Sequence, residues 1–192
     1  MAPRIEPLGT PYTDAVRKQL DALMGGAGRE PLNLFRTLVH NPGLTDGFAA
    51  LGGHNLTRGT LPVRHRELMI LRTTALCGCE YEWGVHARIF AKAANLSETE
   101  LAATASSDAV AMFDGADRLV IQLADQLHHT STATAELMES IQRTWPAAQV
   151  LELLEVAGFY HLVSFVANGA AVALEEWAAR FPAGWLASLQ AA

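Results

Sequence analysis

The sequence is short of most features that would announce an activity by themselves. It holds two cysteines, Cys77 and Cys79, with one residue between them. That is too close to frame a secreted disulfide protein, so reduced thiols and a cytoplasmic setting are expected. The basic residues are scattered, and 14 Lys and Arg against 20 Asp and Glu leave a net charge of −6. Phosphate recognition needs clustered cations, so no nucleic-acid partner is expected. No apolar run is read as reaching the roughly 18 residues of a membrane span. The stretch Met1–Thr10, with two prolines and a glycine, lacks the apolar core of a secretory signal. Alternating β-branched runs are absent, as are a glycine-rich phosphate loop, a dinucleotide fingerprint and a nucleophile-elbow serine.

What is present is a helical vocabulary. Half of the 192 residues are hydrophobic and 18% are charged, enough to bury a core within one domain spanning residues 1–192. Ala and Leu dominate most windows. Thr13 or Asp14 opens a helix to about Met24, ended by Gly25-Gly26. Further helices are expected over Leu32–Val39, from Leu44 to about Leu56, from Pro62 to Leu76, and from Cys79 or Glu80 to Ala94. Ser97 with Glu100 has the capping-box pattern. Helices over Asp114–His128, Thr134–Thr144, Ala147–Asn168 and Leu174–Arg180 follow, and the tail Trp185–Ala192 is expected to dock on the domain or on a second subunit. The fold class is all-α.

The segment with chemical content reads Arg66-Glu67-Leu68, then Cys77-Gly78-Cys79-Glu80-Tyr81-Glu82-Trp83-Gly84-Val85-His86. On a helix, positions 79, 82 and 86 share one face, stacking a thiol, a carboxylate and an imidazole. Glu67 lies on the preceding helix, and a tight turn at Gly78 folds that helix back, forming a helix-turn-helix unit. Two carboxylates with an imidazole and a thiol supply an acid–base relay, because burial and like-charge proximity raise carboxylate pKa values and a carboxylate raises that of a histidine. Such a group can move a carbon-bound proton near neutral pH. Glu67, Cys79, Glu82 and His86 are the candidate catalytic residues.

This pattern resembles the carboxymuconolactone decarboxylase/alkylhydroperoxidase D-like superfamily, whose core reads Arg-Glu, about twelve residues, then Cys-x-x-Cys-x-x-x-His. Glu67, Cys79 and His86 match its glutamate, first cysteine and histidine, and the likeness is strongest over residues 31–105. The second cysteine, reactive in the hydroperoxidase branch, is Glu82 here. Cys77 is displaced onto another part of the turn. The resemblance therefore implies a cofactor-independent lyase, decarboxylase or isomerase acting on a small lactone or carbonyl acid. The alternatives are a thiol-dependent hydroperoxidase using Cys79 with Cys77, and a non-catalytic ligand-binding oligomer. The apolar stretch Val150–Ala173 needs cover from the core or from another subunit, and the superfamily's habit of forming trimers or hexamers favours a homo-oligomer.

Neither a cofactor nor a metal ion is expected. Adjacent histidines such as His128 and His129 diverge by about 100° on a helix and seldom ligate one ion together, so a helix C-terminus that favours cations explains them better. His161 and Asn168 are read as buried hydrogen-bonding residues of one helix.

Overall fold

The computed structural model describes residues 2–26 and 28–185. In chain order the helices are α1 (Asp14–Leu23), α2 (Asn33–Leu38), α3 (Pro42–Gly53), a π-helical turn (His54–Arg58), α4 (Val63–Leu76), α5 (Glu80–Phe90), α6 (Glu98–Thr104), α7 (Ala109–Met112), α8 (Gly115–Thr130), α9 (Ala135–Thr144) and α10 (Ala147–Ala170). No strand occurs among the described residues, so the chain is all-α, as the missing alternation implied.

The local chemistry explains the starts. Thr13, Asn41 and Thr134 each accept a hydrogen bond from a backbone N–H of the first turn they cap. Ser97 and Glu100 complete a reciprocal capping box, which satisfies donors that the helix itself leaves unpaired. α4 is the central element. It is buried without interruption from Arg66 to Ala75 and packs on α5, α8 and α10, so it carries apolar side chains on every face rather than on one stripe. Its buried Arg72 donates to Asp125 of α8 at 2.5 Å and to the Thr104 and Ser106 carbonyls.

The turn between α4 and α5 depends on Gly78, at φ +62°. The Gly78 N–H donates to the Ala75 carbonyl and the Cys79 N–H to that of Thr74, a Schellman arrangement that needs a left-handed residue. α5 then runs back along α4.

Several expected boundaries change. The helix expected to end near Leu56 gives way at Gly53 to the π-helical turn, which redirects its carbonyls toward Arg66. The helix expected to reach Ala94 ends at Phe90, and a last turn closes at Asn95 (φ +51°), with Leu96 N–H donating to Ala91 and Asn95 N–H to Lys92. The short α7 was not anticipated. No helix forms over Leu174–Arg180. Side chains hold that stretch in an irregular path instead: the Glu175 carboxylate accepts from Asn33 N–H at 2.7 Å and from the Tyr81 hydroxyl at 2.6 Å. Glu80 accepts from Phe181 N–H at 2.9 Å. Trp185 is buried and its ring stacks on Phe181 at 3.8 Å; the remainder of the expected docking tail lies outside the described residues.

The expectation about apolar runs also needs correction. α10 is long and apolar enough to cross a membrane by length and composition, with a mean hydropathy of 1.6 over its most apolar window. Half of that window is buried inside the protein, through side chains such as Leu153, Val156, Tyr160 and Val163. Its outward stripe exposes Leu151 (66%), Leu162 (42%) and Phe165 (66%), the face on which the expected self-association would act.

The irregular C-terminal stretch touches α5 most closely at Gly84, whose carbonyl accepts from Ala179 N–H at 3.1 Å. A Cβ at Gly84 would lie 2.2 Å from the Ala179 carbonyl oxygen. Gly84→Ala is therefore expected to lower the unfolding free energy in urea by about 1–3 kcal/mol, the usual cost of overpacking. Gly158→Ala on the exposed face of α10, where nothing lies within 4 Å, should be neutral or stabilising by up to about 1 kcal/mol.

Candidate active site

Three of the four sequence-derived candidates meet where α4 and α5 face each other. Glu67 is fully buried on α4, and His86 and Glu82 are 3% and 8% exposed on α5. His86 Nδ1 lies 2.7 Å from Glu67 Oε2, and its Nε2 lies 3.3 Å from Glu82 Oε1. The i,i+4 spacing of Glu82 and His86 gives the second contact directly, and the Gly78 turn gives the first.

The protonation state follows from the donor inventory. A carboxylate only accepts, and a neutral imidazole carries one N–H. Both ring nitrogens face carboxylate oxygens, so both contacts are satisfied only when His86 is an imidazolium. Burial opposes the charge, but the Glu67 and Glu82 carboxylates outweigh it and raise the His86 pKa from its ordinary 6.5 to about 9. The outer face of Glu67 is held equally firmly. Arg66 places Nε and a terminal nitrogen each 2.8 Å from Glu67 Oε1. Arg66 in turn donates to the Asn55 and Leu56 carbonyls of the π-helical turn, a feature often found near functional sites. Two anions and two cations thus alternate along one line. The His86 ring is walled by Phe90 at 5.0 Å and, edge to face, by Tyr160 at 5.1 Å.

Cys79 stands at the edge of this line. It occupies the N-cap position of α5 and is buried, with the Glu82 backbone N–H and the Ser164 hydroxyl facing its sulfur. Burial pushes its thiol up to about 12 and that of Cys77 up to about 11. Both cysteines are free. Because carboxylates occupy both nitrogens of His86, neither is left to take a proton from Cys79.

Glu82 is the relay's outer end, its side chain 10% exposed against 0% for Glu67. A water-sized cavity of about 10 Å³ lies beside Arg66, lined also by His54, Asn55 and Glu152. A larger one of about 270 Å³ lies away from the relay against Arg64, Glu100 and Asp117.

Sequence reading missed the clamp on Glu67 by Arg66 and the walling by Tyr160, 74 residues from His86 along the chain. It also missed Glu155, a half-buried carboxylate whose burial raises its pKa and which accepts from Asn55 Nδ2 at 3.2 Å. No sequence signal marks these, since each depends on how α10 and the π-helical turn approach α4.

The all-helical core has the alkylhydroperoxidase D-like fold. The structure superposes on an uncharacterised peroxidase-related protein with that core from Ralstonia eutropha JMP134 at a TM-score of 0.74 and 20% identity, covering 90% of this chain and 93% of the other. A peroxidase-related protein from Silicibacter sp. TM1040 gives 0.75 and 17% over the same shares. The debrominase Bmp8 gives 0.70 and 15%, covering 97% and 96%. At these identities the likeness is one of fold. No curated protein matches the chain by sequence. Residues 42–126 match the carboxymuconolactone decarboxylase family, a stretch that contains Glu67, Cys79, Glu82 and His86. The family match over that stretch and the shared fold both support the alkylhydroperoxidase D-like superfamily.

The relay has a direct spectroscopic signature. NMR of ring-labelled protein should show His86 charged at pH 7 and titrating near 9. A folded pKa above the ordinary 6.5 means that the stability His86 contributes is fully present below about 6.5 and is lost as the pH rises through about 9. The His86→Gln variant should therefore lose stability relative to the parent at pH 6 and less at pH 10.

Proposed function

We propose that the chain is a cofactor-independent acid–base enzyme acting on a small lactone or carbonyl acid, with Glu82 as the group that exchanges a proton with substrate. The observation that carries this is the line Glu67–His86–Glu82, with contacts of 2.7 and 3.3 Å, ending in the more exposed carboxylate. Isomerisation moves a proton from one carbon to Glu82 and back to another, through an enolate. Decarboxylation breaks a carbon–carbon bond, releases carbon dioxide and leaves the electron pair in an enolate, which takes at carbon a proton passed from the His86 imidazolium through Glu82 and replaced afterwards from water. In both, the His86 imidazolium stabilises Glu82 while it is charged, and Glu67 with Arg66 fixes the imidazolium. Cys79 is a neutral neighbour of the Glu82 backbone.

A thiol hydroperoxidase is the second reading, favoured by the peroxidase-related proteins that share the fold. It requires an accessible thiolate. Two buried thiols with pKa values raised to about 11 and about 12 speak against it.

The test is proton exchange in D2O, followed by NMR across a panel of small lactones and carbonyl acids. Glu82→Gln and His86→Ala are each expected to slow a turned-over member on the order of 10²-fold or more, the scale of lost general acid–base catalysis. Cys79→Ser should cost roughly a few-fold. Hydroperoxide turnover with a dithiol that survives Glu82→Gln and disappears in Cys79→Ser would establish the second reading instead. Exchange with no panel member, and no peroxide turnover, would leave the non-catalytic binding protein.

A further inference from the structure

Away from the relay, three helix-borne side chains that are far apart in sequence converge. Cys77 caps the C-terminus of α4, His128 lies in the last turn of α8, and His161 sits within α10. His128 Nδ1 is 3.0 Å from His161 Nε2 and 3.9 Å from Cys77 Sγ, and the donor atoms of the three all lie within 4.8 Å of one another. The relay uses none of them. From this cluster we propose that the chain binds a zinc ion through Cys77 Sγ, His128 Nδ1 and His161 Nε2, with the fourth position open to water or another small ligand.

The distances suit the metal. Tetrahedral zinc with its usual bond lengths sets nitrogen ligands about 3.3 Å apart and a nitrogen and a sulfur about 3.6 Å apart. Two of the three separations each lie about 0.3 Å from these, and the third, between Cys77 Sγ and His161 Nε2, is no more than 4.8 Å, a gap that side-chain rotation has to close. A thiolate with two imidazoles also suits zinc over hard cations such as magnesium or calcium, which take oxygen ligands.

The surroundings prepare the donors. His161 Nδ1 lies 2.8 Å from the Ala157 carbonyl; that contact requires the proton on Nδ1 and leaves the Nε2 lone pair facing the cluster. A metal-bound histidine typically donates its other ring N–H in this way, which fixes the tautomer and the ring's orientation. In the absence of metal, His128 donates Nδ1–H to that lone pair. On binding it shifts to its other tautomer without net loss of a proton, and the Cys77 thiol releases one. Asn168 Nδ2 donates to the Cys77 carbonyl at 2.9 Å and so ties α10 to the turn that carries the thiol. All three donor residues are partly buried. Burial and the neighbouring His161 and His129 hold the His128 pKa below its ordinary value, against the Asp125 carboxylate, which itself takes the Arg72 guanidinium.

The test uses untagged, chelator-stripped full-length protein with zinc and cobalt salts alone. Zinc should bind at one ion per chain by elemental analysis after gel filtration and should raise the melting temperature. Cobalt(II) should give the intense visible bands of a tetrahedral site and a thiolate-to-metal charge-transfer band in the near ultraviolet. Cys77→Ser should abolish the charge-transfer band. His161→Gln should weaken binding beyond the roughly 10- to 100-fold that losing a ligand's hydrogen-bond partner costs. His129→Gln, which changes the neighbouring histidine and none of the three donors, should preserve the spectrum. Far-ultraviolet circular dichroism of each variant separates a lost ligand from a lost fold. A stripped protein that takes up less than a stoichiometric amount of zinc, or a cobalt spectrum unchanged in Cys77→Ser, would overturn the proposal.

Discussion

A charged imidazole shared by two carboxylates in a nearly dry site is the constraint around which the α4–α5 pair is arranged. Removing an ion from water is costly, and a buried charge persists only when it is paired and hydrogen-bonded. Glu67 meets that condition on both of its oxygens, through His86 and Arg66. His86 meets it on both of its nitrogens. Arg66 turns its remaining donors to backbone carbonyls that the π-helical turn exposes. Each member is satisfied by the next, and the line ends at Glu82, the carboxylate nearest to solvent. Breaking it anywhere inside leaves an uncompensated buried charge, and only its Glu82 end is partly exposed.

The rest of the fold serves this arrangement. Gly78 in a left-handed conformation reverses the chain so that Glu67 on one helix and His86 on the next lie abreast. Arg72 ties α4 to α8 and to the end of α6, and α10 supplies the Tyr160 wall behind the imidazole. The irregular C-terminal stretch runs along the outer side of α5. It is pinned by Glu175 and Glu80 and admitted close to the helix only because residue 84 has no side chain.

The sequence carried the helix pair and its reactive face legibly, because those rest on local rules. Spacings of three and four residues put Glu82 and His86 in contact, and a glycine between two helical segments marks the reversal. The capping residues at Thr13 and Ser97 were readable for the same reason. Long-range packing was not. Nothing local says that Arg66 will turn toward Glu67, that α3 will widen into a π-helical turn to receive it, or that Cys77, His128 and His161 will converge from three helices. The expected helix over Leu174–Arg180 failed because its propensity was overridden by tertiary hydrogen bonds, Glu175 to Tyr81 above all. The apolar character of α10 was underestimated because Glu152 and Glu155 interrupt the run near its start.

The central claim is that Glu67 holds the charge on His86, and the most direct measurement is the His86 pKa in the Glu67→Gln variant, read by NMR on ring-labelled protein. Glutamine keeps the shape and the hydrogen-bonding reach of the side chain while removing its charge. With that attraction gone, burial is opposed only by the more exposed Glu82, and the His86 pKa should fall from about 9 to below neutrality. A His86 that still titrates near 9 in a folded Glu67→Gln protein would contradict the claim.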